Sequence, residues 1–202
     1  MIEIIDYGMG NLRSVQKALE RVGGQAEFCT DPNRLASADA AVLPGVGAFK
    51  DAADELRRTG FDAAVRDFAA SGKPLLGICL GLQLLFEESD EDGVHEGLGL
   101  FAGRVARFAS APGLKIPHMG WNTVRRQNGH PLLEAVPDGE SFYFVHTYFV
   151  RPADESLVSL SSDHGGRFCA AVGRDNVFAT QFHPEKSQRA GLRLLERFVA
   201  SA

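Results

Sequence analysis

One stretch, Lys73–Glu87, constrains the fold of this 202-residue chain more than any other. A short apolar run, Leu75–Ile78, precedes Cys79, and two glycines flank the cysteine in the pattern Gly77-Ile-Cys-Leu-Gly81. Apolar runs of this length are typical of parallel strands that are buried on both faces. The glycine spacing is that of a strained turn, between a strand and a helix, that exposes a nucleophilic side chain. The stretch therefore predicts a buried strand, a tight turn at Cys79 and a helix that runs to about Phe86.

Two interpretations of Cys79 follow from this pattern. A cysteine in an apolar segment is commonly a buried packing residue. A thiol at the start of a helix, in contrast, faces unpaired backbone N–H groups that favour the thiolate, which is the nucleophilic form. The stretch by itself leaves both interpretations open.

Composition sets the class of protein. Hydrophobic residues make up 45% of the chain and charged residues 23%, and the length suits one α/β domain over residues 1–202. The net charge of −5 argues against nucleic-acid binding. Three widely spaced cysteines, with no C-x-x-C pair, indicate a reducing compartment. The N-terminus lacks the basic and apolar segments of a signal peptide. The charge-free apolar run Pro74–Phe86 is too short to span a bilayer. We therefore expect a cytoplasmic protein without a membrane segment.

The order of predicted elements favours a parallel sheet. Strands are expected at about 2–6, 25–30, 39–43 and 75–78, with a helix after the first and two amphipathic helices, separated by Gly60, after the third. Short alternating segments from about residue 98 onward predict hairpin strands attached to that sheet. A late strand at about 176–182 and a final helix that Ser187 caps complete the chain.

Two loops beside this sheet have open interpretations. Pro44-Gly-Val-Gly47 follows the third strand, so that it is either a plain turn or an oxyanion hole built from mobile backbone N–H groups. The acidic run Glu87–Asp92 does not fit a calcium-loop template and is interpreted as a solvated loop.

The late strand delivers His183-Pro-Glu185 to the sheet edge at which Cys79 is expected. Proline holds His183 extended, and residues two apart in an extended segment point to the same side. Glu185 can then orient the imidazole, and the imidazole can activate a thiol, which is the arrangement of nucleophile, base and orienting group. The three residues together indicate acyl transfer through a thioester.

Several motifs resemble a known family. Gly77–Gly81 followed by Gln83, together with Phe182-His-Pro-Glu-Lys-Ser187, is similar to the class I, triad-type glutamine amidotransferases. Within that family, the segments that resemble the glutaminase subunits of imidazole glycerol phosphate synthases are Pro44–Gly47, Pro117-His-Met-Gly-Trp-Asn122 and Tyr143-Phe-Val-His-Thr-Tyr148.

The resemblance implies a flavodoxin-like domain: a central mixed, mostly parallel sheet flanked by helices, with added antiparallel hairpin strands. It implies that Cys79 attacks the glutamine side-chain amide, that His183 moves protons and that Glu185 orients His183. The oxyanion and substrate-binding groups that it implies are Gly45, Val46, Gly47, Leu80 and Gln83. It implies neither a cofactor nor a metal ion.

The resemblance also implies a partner. Ammonia would pass to a (β/α)₈-barrel cyclase subunit in a heterodimer that serves histidine biosynthesis. The candidate interface residues are Asn11, Ser14, Trp121, Tyr143 and Lys186, although Trp121 and Tyr143 are also explained by core packing. The alternatives are the glutaminase subunit of an anthranilate or aminodeoxychorismate synthase, a γ-glutamyl hydrolase-like enzyme, and a binding module without catalysis.

Overall fold

The computed structural model describes residues 1–134 and 136–202. The strands are β1 (Ile2–Ile5), β2 (Ala26–Cys29), β3 (Ala40–Leu43), β4 (Leu75–Ile78), β5 (Phe86–Ser89), β6 (His95–Glu96), β7 (Phe101–Arg107), β8 (His118–Thr123), β9 (Arg125–Arg126), β10 (Ser141–His146), β11 (Tyr148–Pro152), β12 (Val158–Asp163), β13 (Arg167–Arg174) and β14 (Val177–Thr180). The α-helices are α1 (Leu12–Arg21), α2 (Pro32–Leu35), α3 (Phe49–Thr59), α4 (Phe61–Ala70), α5 (Leu80–Leu84) and α6 (Gln188–Ala200). Short 3₁₀ turns occupy Pro131–Leu133, Glu155–Leu157 and Pro184–Lys186.

The central sheet has the order β2-β1-β3-β4-β14-β13-β12-β9. Its first five strands in that order are parallel, and the other three pair antiparallel. Strands β1, β3, β4 and β14 are buried along their whole length, as expected for parallel strands covered on both faces. The prediction of a mixed, mostly parallel sheet flanked by helices is confirmed.

A separate hydrophobic core covers each face of this sheet. Helices α1 and α6 contribute Val15, Leu19, Leu194 and Phe198 to one core. Helices α3 and α4 contribute Phe49, Leu56, Phe61 and Val65 to the other. The two cores hold the strands at fixed positions, so that the carboxyl ends of β3, β4 and β14 meet at one edge.

Glycines end or separate helices at two places, and the sequence predicted the break at Gly60. Gly60 adopts a left-handed φ of 80° between α3 and α4. Past α1, Gly23 has a φ of 87°, and the Gly24 N–H donates to the Leu19 carbonyl at 2.9 Å. Because a residue with a Cβ is strained at such φ values, glycine is the residue that ends a helix in this way.

The prediction that every hairpin strand joins the central sheet is wrong. Two smaller sheets lie apart from it, one of order β10-β8 and one of order β11-β7-β5-β6. The continuous alternating segment over 141–150 divides at Thr147 into β10 and β11, which belong to different sheets. Alternating hydrophobicity marks strands but does not say with which neighbour each strand pairs.

The helix after Cys79 is also shorter than predicted. Helix α5 ends at Leu84, and Phe86 begins β5, which pairs with β7. The Phe86 and Phe101 rings pack with their centroids 5.7 Å apart, and the Gly103 N–H donates to Glu87 Oε2 at 2.8 Å. The first residues of the acidic run are therefore strand rather than solvated loop. A run of leucines and phenylalanine fits a buried helix and a buried strand equally well.

Among the described residues, no helix is both long enough and apolar enough to cross a membrane.

Candidate active site

Cys79 occupies a strained turn between β4 and α5. Its backbone has φ 56° and ψ −106°, and its N–H donates to the Thr180 carbonyl at 2.7 Å. A Cβ added at Gly81 would overlap the Leu43 carbonyl, and one added at Gly77 would lie 2.8 Å from Ala179 Cβ. The two flanking glycines thus allow α5 to approach the sheet. A non-glycine residue in this φ range costs about 1–3 kcal/mol and occurs mostly at functional sites.

The side chains of His183 and Glu185 are in contact as predicted, although the backbone conformation that brings them together differs from the predicted one. The Nδ1 atom of His183 lies 2.8 Å from Glu185 Oε1, and both side chains are buried. His183 itself is extended (φ −99°, ψ 97°), but Pro184–Lys186 form a 3₁₀ turn rather than a continued extended segment. Because Nδ1 faces the carboxylate, Nε2 is the ring nitrogen left to act on another group.

The electrostatics of this pair favour a charged imidazole. Burial by itself lowers the pKa of His183, but the interactions with Cys79 and with Glu185 outweigh burial and raise that pKa to about 10. A raised histidine pKa between a sulfur and a carboxylate indicates an imidazolium that is stabilised from both sides. The arrangement can therefore hold a proton on His183.

Ser187 does not cap α6 as the sequence predicted. Its side chain makes no capping hydrogen bond. Instead, Ser187 Oγ donates to the His183 carbonyl at 2.6 Å and accepts from the Tyr143 N–H at 3.0 Å. The His183 N–H also donates to the Tyr143 carbonyl at 3.0 Å. These bonds fasten the His183 segment to β10.

A cavity of about 350 Å³ opens beside Cys79 and His183. Of the predicted residues, those that line it are Val46, Gly47, Cys79, Leu80, Gln83, His183 and Lys186. Gly45 is buried behind the cavity wall, where an added Cβ would lie 2.7 Å from the Tyr7 hydroxyl oxygen and 2.9 Å from Leu80 Cβ. Glu185 lies behind His183. The cavity volume suits a small-molecule ligand.

The Pro44–Gly47 segment forms one wall of this cavity. The Tyr7 hydroxyl donates to the Pro44 carbonyl at 3.0 Å, and burial raises the pKa of Tyr7. Beyond this anchor, Val46 is 42% exposed and Gly47 has a φ of 98°. Leu80, on the other side of Cys79, is the first residue of α5, where backbone N–H groups have no partner within the helix.

The structure adds cavity residues that the sequence interpretation missed: Glu91, Pro117, Val145, His146, Thr147 and Tyr148. Glu91 belongs to the acidic run, yet its Oε2 accepts from the Phe49 N–H at 2.8 Å at the start of α3. No feature of the sequence distinguishes an acidic residue that faces a cavity from neighbouring acidic residues that face solvent. Thr147 and Tyr148 reach the cavity because the chain turns between β10 and β11.

His146 lies in a buried histidine pair. His118 Nδ1 lies 2.9 Å from His146 Nε2, and His146 Nδ1 lies 2.8 Å from the Tyr148 carbonyl. A carbonyl only accepts, so that His146 carries its proton on Nδ1 and receives a hydrogen bond from His118. Burial lowers the pKa of His146 to about 3 and that of His118 to about 4.

The predicted interface residues fall into two groups. Trp121 on β8 is 51% exposed and pairs in register with Tyr143 on β10. The two rings pack edge to face with their centroids 6.3 Å apart. Lys186 is exposed at the cavity. Asn11 and Ser14, which hydrogen bond to each other at 2.9 Å, lie at the start of α1 and do not line the cavity. Core packing does not explain the exposed Trp121.

Comparison with known proteins decides the family. The family model described as "Glutamine amidotransferase class-I" matches residues 3–202. The chain is 57% identical over 201 residues to the imidazole glycerol phosphate synthase subunit HisH of Rhodopirellula baltica, with 100% of this chain and 98% of that protein covered. It is 56% identical over 206 residues to the HisH subunit of Syntrophotalea carbinolica, with 98% of each covered. The chain belongs to the class I glutamine amidotransferases and, within them, to the HisH family.

Solved structures agree with this glutamine amidotransferase fold. The crystal structure of a glutamine amidotransferase matches with a TM-score of 0.76 at 20% identity, and the match covers 98% of each chain. PurLQS from Thermotoga maritima matches with a TM-score of 0.75 at 22% identity, covering 99% of this chain and 95% of that one. At these identities the likeness concerns the fold alone.

No group of three or more His, Cys, Asp or Glu side chains arranged to hold a metal ion occurs in residues 1–134 and 136–202.

Proposed function

We propose that this chain hydrolyses L-glutamine to glutamate and ammonia, and that it supplies the ammonia to the cyclase subunit of imidazole glycerol phosphate synthase. The observation that carries the proposal is an alignment in which Cys79 and His183 line one cavity and Glu185 lies behind the imidazole, with its Oε1 2.8 Å from His183 Nδ1. Such an alignment provides a nucleophile, a proton carrier and an orienting group.

The proposed reaction has two steps. Cys79 Sγ, as the thiolate, attacks the side-chain amide carbon of glutamine, and His183 then gives a proton to the leaving nitrogen as the C–N bond breaks. The products of this step are ammonia and a thioester. In the second step His183 takes a proton from water, which attacks the thioester and releases glutamate. Glu185 stabilises the imidazolium that forms each time.

Two backbone elements are proposed to stabilise the tetrahedral oxyanion. Leu80 offers an N–H at the first position of α5, and the Gly45–Gly47 segment, of which Val46 and Gly47 line the cavity, offers further N–H groups. One such donor is worth about 10²–10³ in rate. The exposed Val46 and the left-handed Gly47 allow the segment to rotate when a partner docks, at a cost of a few kcal/mol.

Two side chains in the cavity are proposed to hold the α-amino-acid end of glutamine. The amide nitrogen of Gln83 is engaged with the Tyr148 carbonyl at 3.0 Å and with Gln181 Oε1 at 3.1 Å. Gln83 therefore presents its carbonyl oxygen to a ligand donor. Glu91 places a carboxylate in the same cavity, where it suits an ammonium group.

The partner is proposed from the relatives and from the surface. The relatives compared above are named as subunits of imidazole glycerol phosphate synthase. Trp121 and Met119, which point to the same side of β8, are 51% and 63% exposed. We propose that this face, with Asn11, Ser14, Tyr143 and Lys186, docks a (β/α)₈-barrel cyclase as a heterodimer in the cytoplasm for histidine biosynthesis. Three free cysteines suit that compartment.

The alternatives receive less support. Relatives at 47–57% identity over nearly the whole chain carry the HisH name, rather than that of an anthranilate or aminodeoxychorismate synthase subunit. A hydrolase that releases its product to water would need no exposed tryptophan for a partner to cover, whereas Trp121 is 51% exposed. The burial of Glu185 against His183 argues against a module that has lost catalysis.

The experiment that tests the proposal is Cys79→Ala in complex with the cyclase. We expect the variant to lose glutamine-dependent synthesis and to retain synthesis from added ammonia. If glutamine still supports synthesis, Cys79 is not the nucleophile. If neither nitrogen source supports synthesis in a correctly assembled complex, the proposed supply of ammonia is wrong.

A further inference from the structure

A row of hydrogen bonds that the two-step reaction does not use ends at the sulfur of Cys79. It begins at the backbone carbonyl of Tyr148, passes through the side-chain amides of Gln83 and Gln181, and reaches Cys79 Sγ. Gln83 is 5% exposed and Gln181 is 0% exposed, so that bulk water does not compete for these bonds. Each amide has its orientation fixed by the bond before it.

The Tyr148 carbonyl sets the first orientation. A carbonyl oxygen accepts and never donates, so that the Gln83 atom 3.0 Å from it must be the amide nitrogen. The same nitrogen lies 3.1 Å from Gln181 Oε1. Both hydrogens of the Gln83 amide are thereby used inside the protein.

Gln83 in turn sets the orientation of Gln181. Because Gln83 presents only N–H groups on this side, Gln181 must offer its oxygen to Gln83 and its nitrogen to the other neighbour. That neighbour is Cys79 Sγ, 3.7 Å from Gln181 Nε2. Sulfur is a large, weak acceptor that gains strength when it is ionised. A reversed amide at Gln181 would place its N–H groups against those of Gln83, lose the Gln83 bond and turn its oxygen toward the sulfur.

The geometry points to Gln181 as a further catalytic residue, a fixed N–H donor that stabilises the Cys79 thiolate, with Gln83 as the residue that keeps the Gln181 amide oriented. The inference rests on the proposed role of Cys79 as the nucleophile. A hydrogen bond made to the ionised form of an acid favours ionisation. The thiol proton then resides on His183. When the thioester is cleaved, the departing thiolate meets the same donor.

The test compares the reactivity of Cys79 in the full-length chain and in Gln181→Met, which keeps the side-chain length and removes the donor. The rate of alkylation of Cys79 by iodoacetamide is measured against pH, with peptide mass spectrometry to separate Cys79 from Cys29 and Cys169. We expect the pH midpoint of the alkylation rate to rise by about one unit. In the complex with the cyclase, kcat for glutamine should fall by about 10–100-fold, with a much smaller change in KM.

Thr180→Val is the matched control. Thr180 is the neighbour of Gln181, is fully buried, and donates its hydroxyl to the Phe182 carbonyl at 2.9 Å. The variant removes a buried hydrogen bond of similar cost without removing a donor to the sulfur, so that the alkylation midpoint should stay at its wild-type value. A rise of the same size in both variants would show that loss of stability, rather than loss of the donor, moves the midpoint, and the inference would fail.

Gln181→Glu serves if Gln181→Met does not fold. It retains an oxygen for Gln83 and replaces the donor by a second oxygen, so that the midpoint should rise at least as far. An unchanged midpoint in a folded variant at position 181 overturns the inference, whatever the substrate. Retained use of glutamine by Cys79→Ala overturns the proposed function instead, so that the two failures are distinct.

Discussion

The two sides of Cys79 are built differently. On one side, His183 and Ser187 are buried, and three hydrogen bonds of 2.6–3.0 Å tie them to each other and to Tyr143. On the other side, the chain from Gly45 to Gly47 emerges from the core with Val46 exposed, and its nearest side-chain anchor is the Tyr7 hydroxyl on Pro44. One side is fixed by packing and by hydrogen bonds at His183 itself, whereas the other is anchored before and after the segment, by Tyr7 at Pro44 and by Glu91 at Phe49.

This difference separates two requirements of acyl transfer. A proton carrier must keep its distance and direction to the sulfur, because its effect depends on geometry. Donors to an oxyanion are needed only while charge develops, so that a segment which turns can switch the rate without disturbing the nucleophile. We therefore expect variants on the His183 side to change the chemistry itself, and variants on the Gly45–Gly47 side to change its control.

The largest effect is expected for Glu185→Gln. The amide cannot stabilise an imidazolium as the carboxylate does, and the pKa of His183, which the structure raises to about 10, should fall. The glutaminase rate of the complex should decrease by about 10²–10⁴-fold. The pKa can be followed by NMR of the imidazole. A rate within a factor of three of wild type would contradict a fixed acid–base pair.

Ser187→Ala is expected to have the second-largest effect. The change leaves the Tyr143 N–H and the buried His183 carbonyl without their bonds to the hydroxyl, which should lower the free energy of unfolding by about 1–3 kcal/mol. Ser201→Ala is the control, because Ser201 donates to the Phe198 carbonyl at the exposed end of α6. Urea unfolding measures the free energy of unfolding of the two variants and of the wild type. Equal losses in the two variants would argue against a special role for the link to β10.

The buried pair His118 and His146 is expected to make the free energy of unfolding depend on pH. His118 has a folded pKa lowered to about 4, below its ordinary value of 6.5, so that the unfolded chain binds the proton more readily. Stability is then complete above about pH 6.5 and is lost as pH falls toward 4, by at most ~1.4 kcal/mol per pH unit. His118→Asn keeps a donor to His146 and removes this titration.

The measurement is the loss of unfolding free energy between pH 7.5 and pH 5.0. Wild type should lose about 1–2 kcal/mol more than His118→Asn. Comparing two pH values cancels the packing cost of the substitution at neutral pH. His146 and the stacked His164 remain in both proteins and act as an internal control. The same loss in both would show that His118 is not the titrating group.

The smallest effect is expected for Tyr7→Phe. The variant removes the hydroxyl that anchors Pro44, at a cost of about 1 kcal/mol in unfolding free energy. Because it loosens the Gly45–Gly47 side and leaves the His183 side intact, the alkylation rate of Cys79 should be unchanged while the response of the glutaminase rate to the cyclase changes. A lowered alkylation rate would mean that the two sides are not independent.

The sequence predicted those features that depend on local chemistry. The glycines around Cys79, the helix break at Gly60 and the pairing of His183 with Glu185 each follow from a few adjacent residues, and the structure contains all of them. The predictions that failed concern competition between elements. The helix after Cys79 ended early because Phe86 packs against Phe101 in a second sheet, and no local pattern records that contact.

By itself, the sequence determined a parallel α/β sheet, a cysteine at a strained turn and a histidine–carboxylate pair, because periodicity and glycine spacing act over short distances along the chain. Only the tertiary structure decided that Glu91 faces the cavity rather than solvent, that Ser187 bridges to β10 rather than capping α6, and that Gln181 donates to the sulfur. Each of these contacts joins residues far apart in the chain. Their partners are selected by the packing of two cores and three sheets, which no single segment encodes.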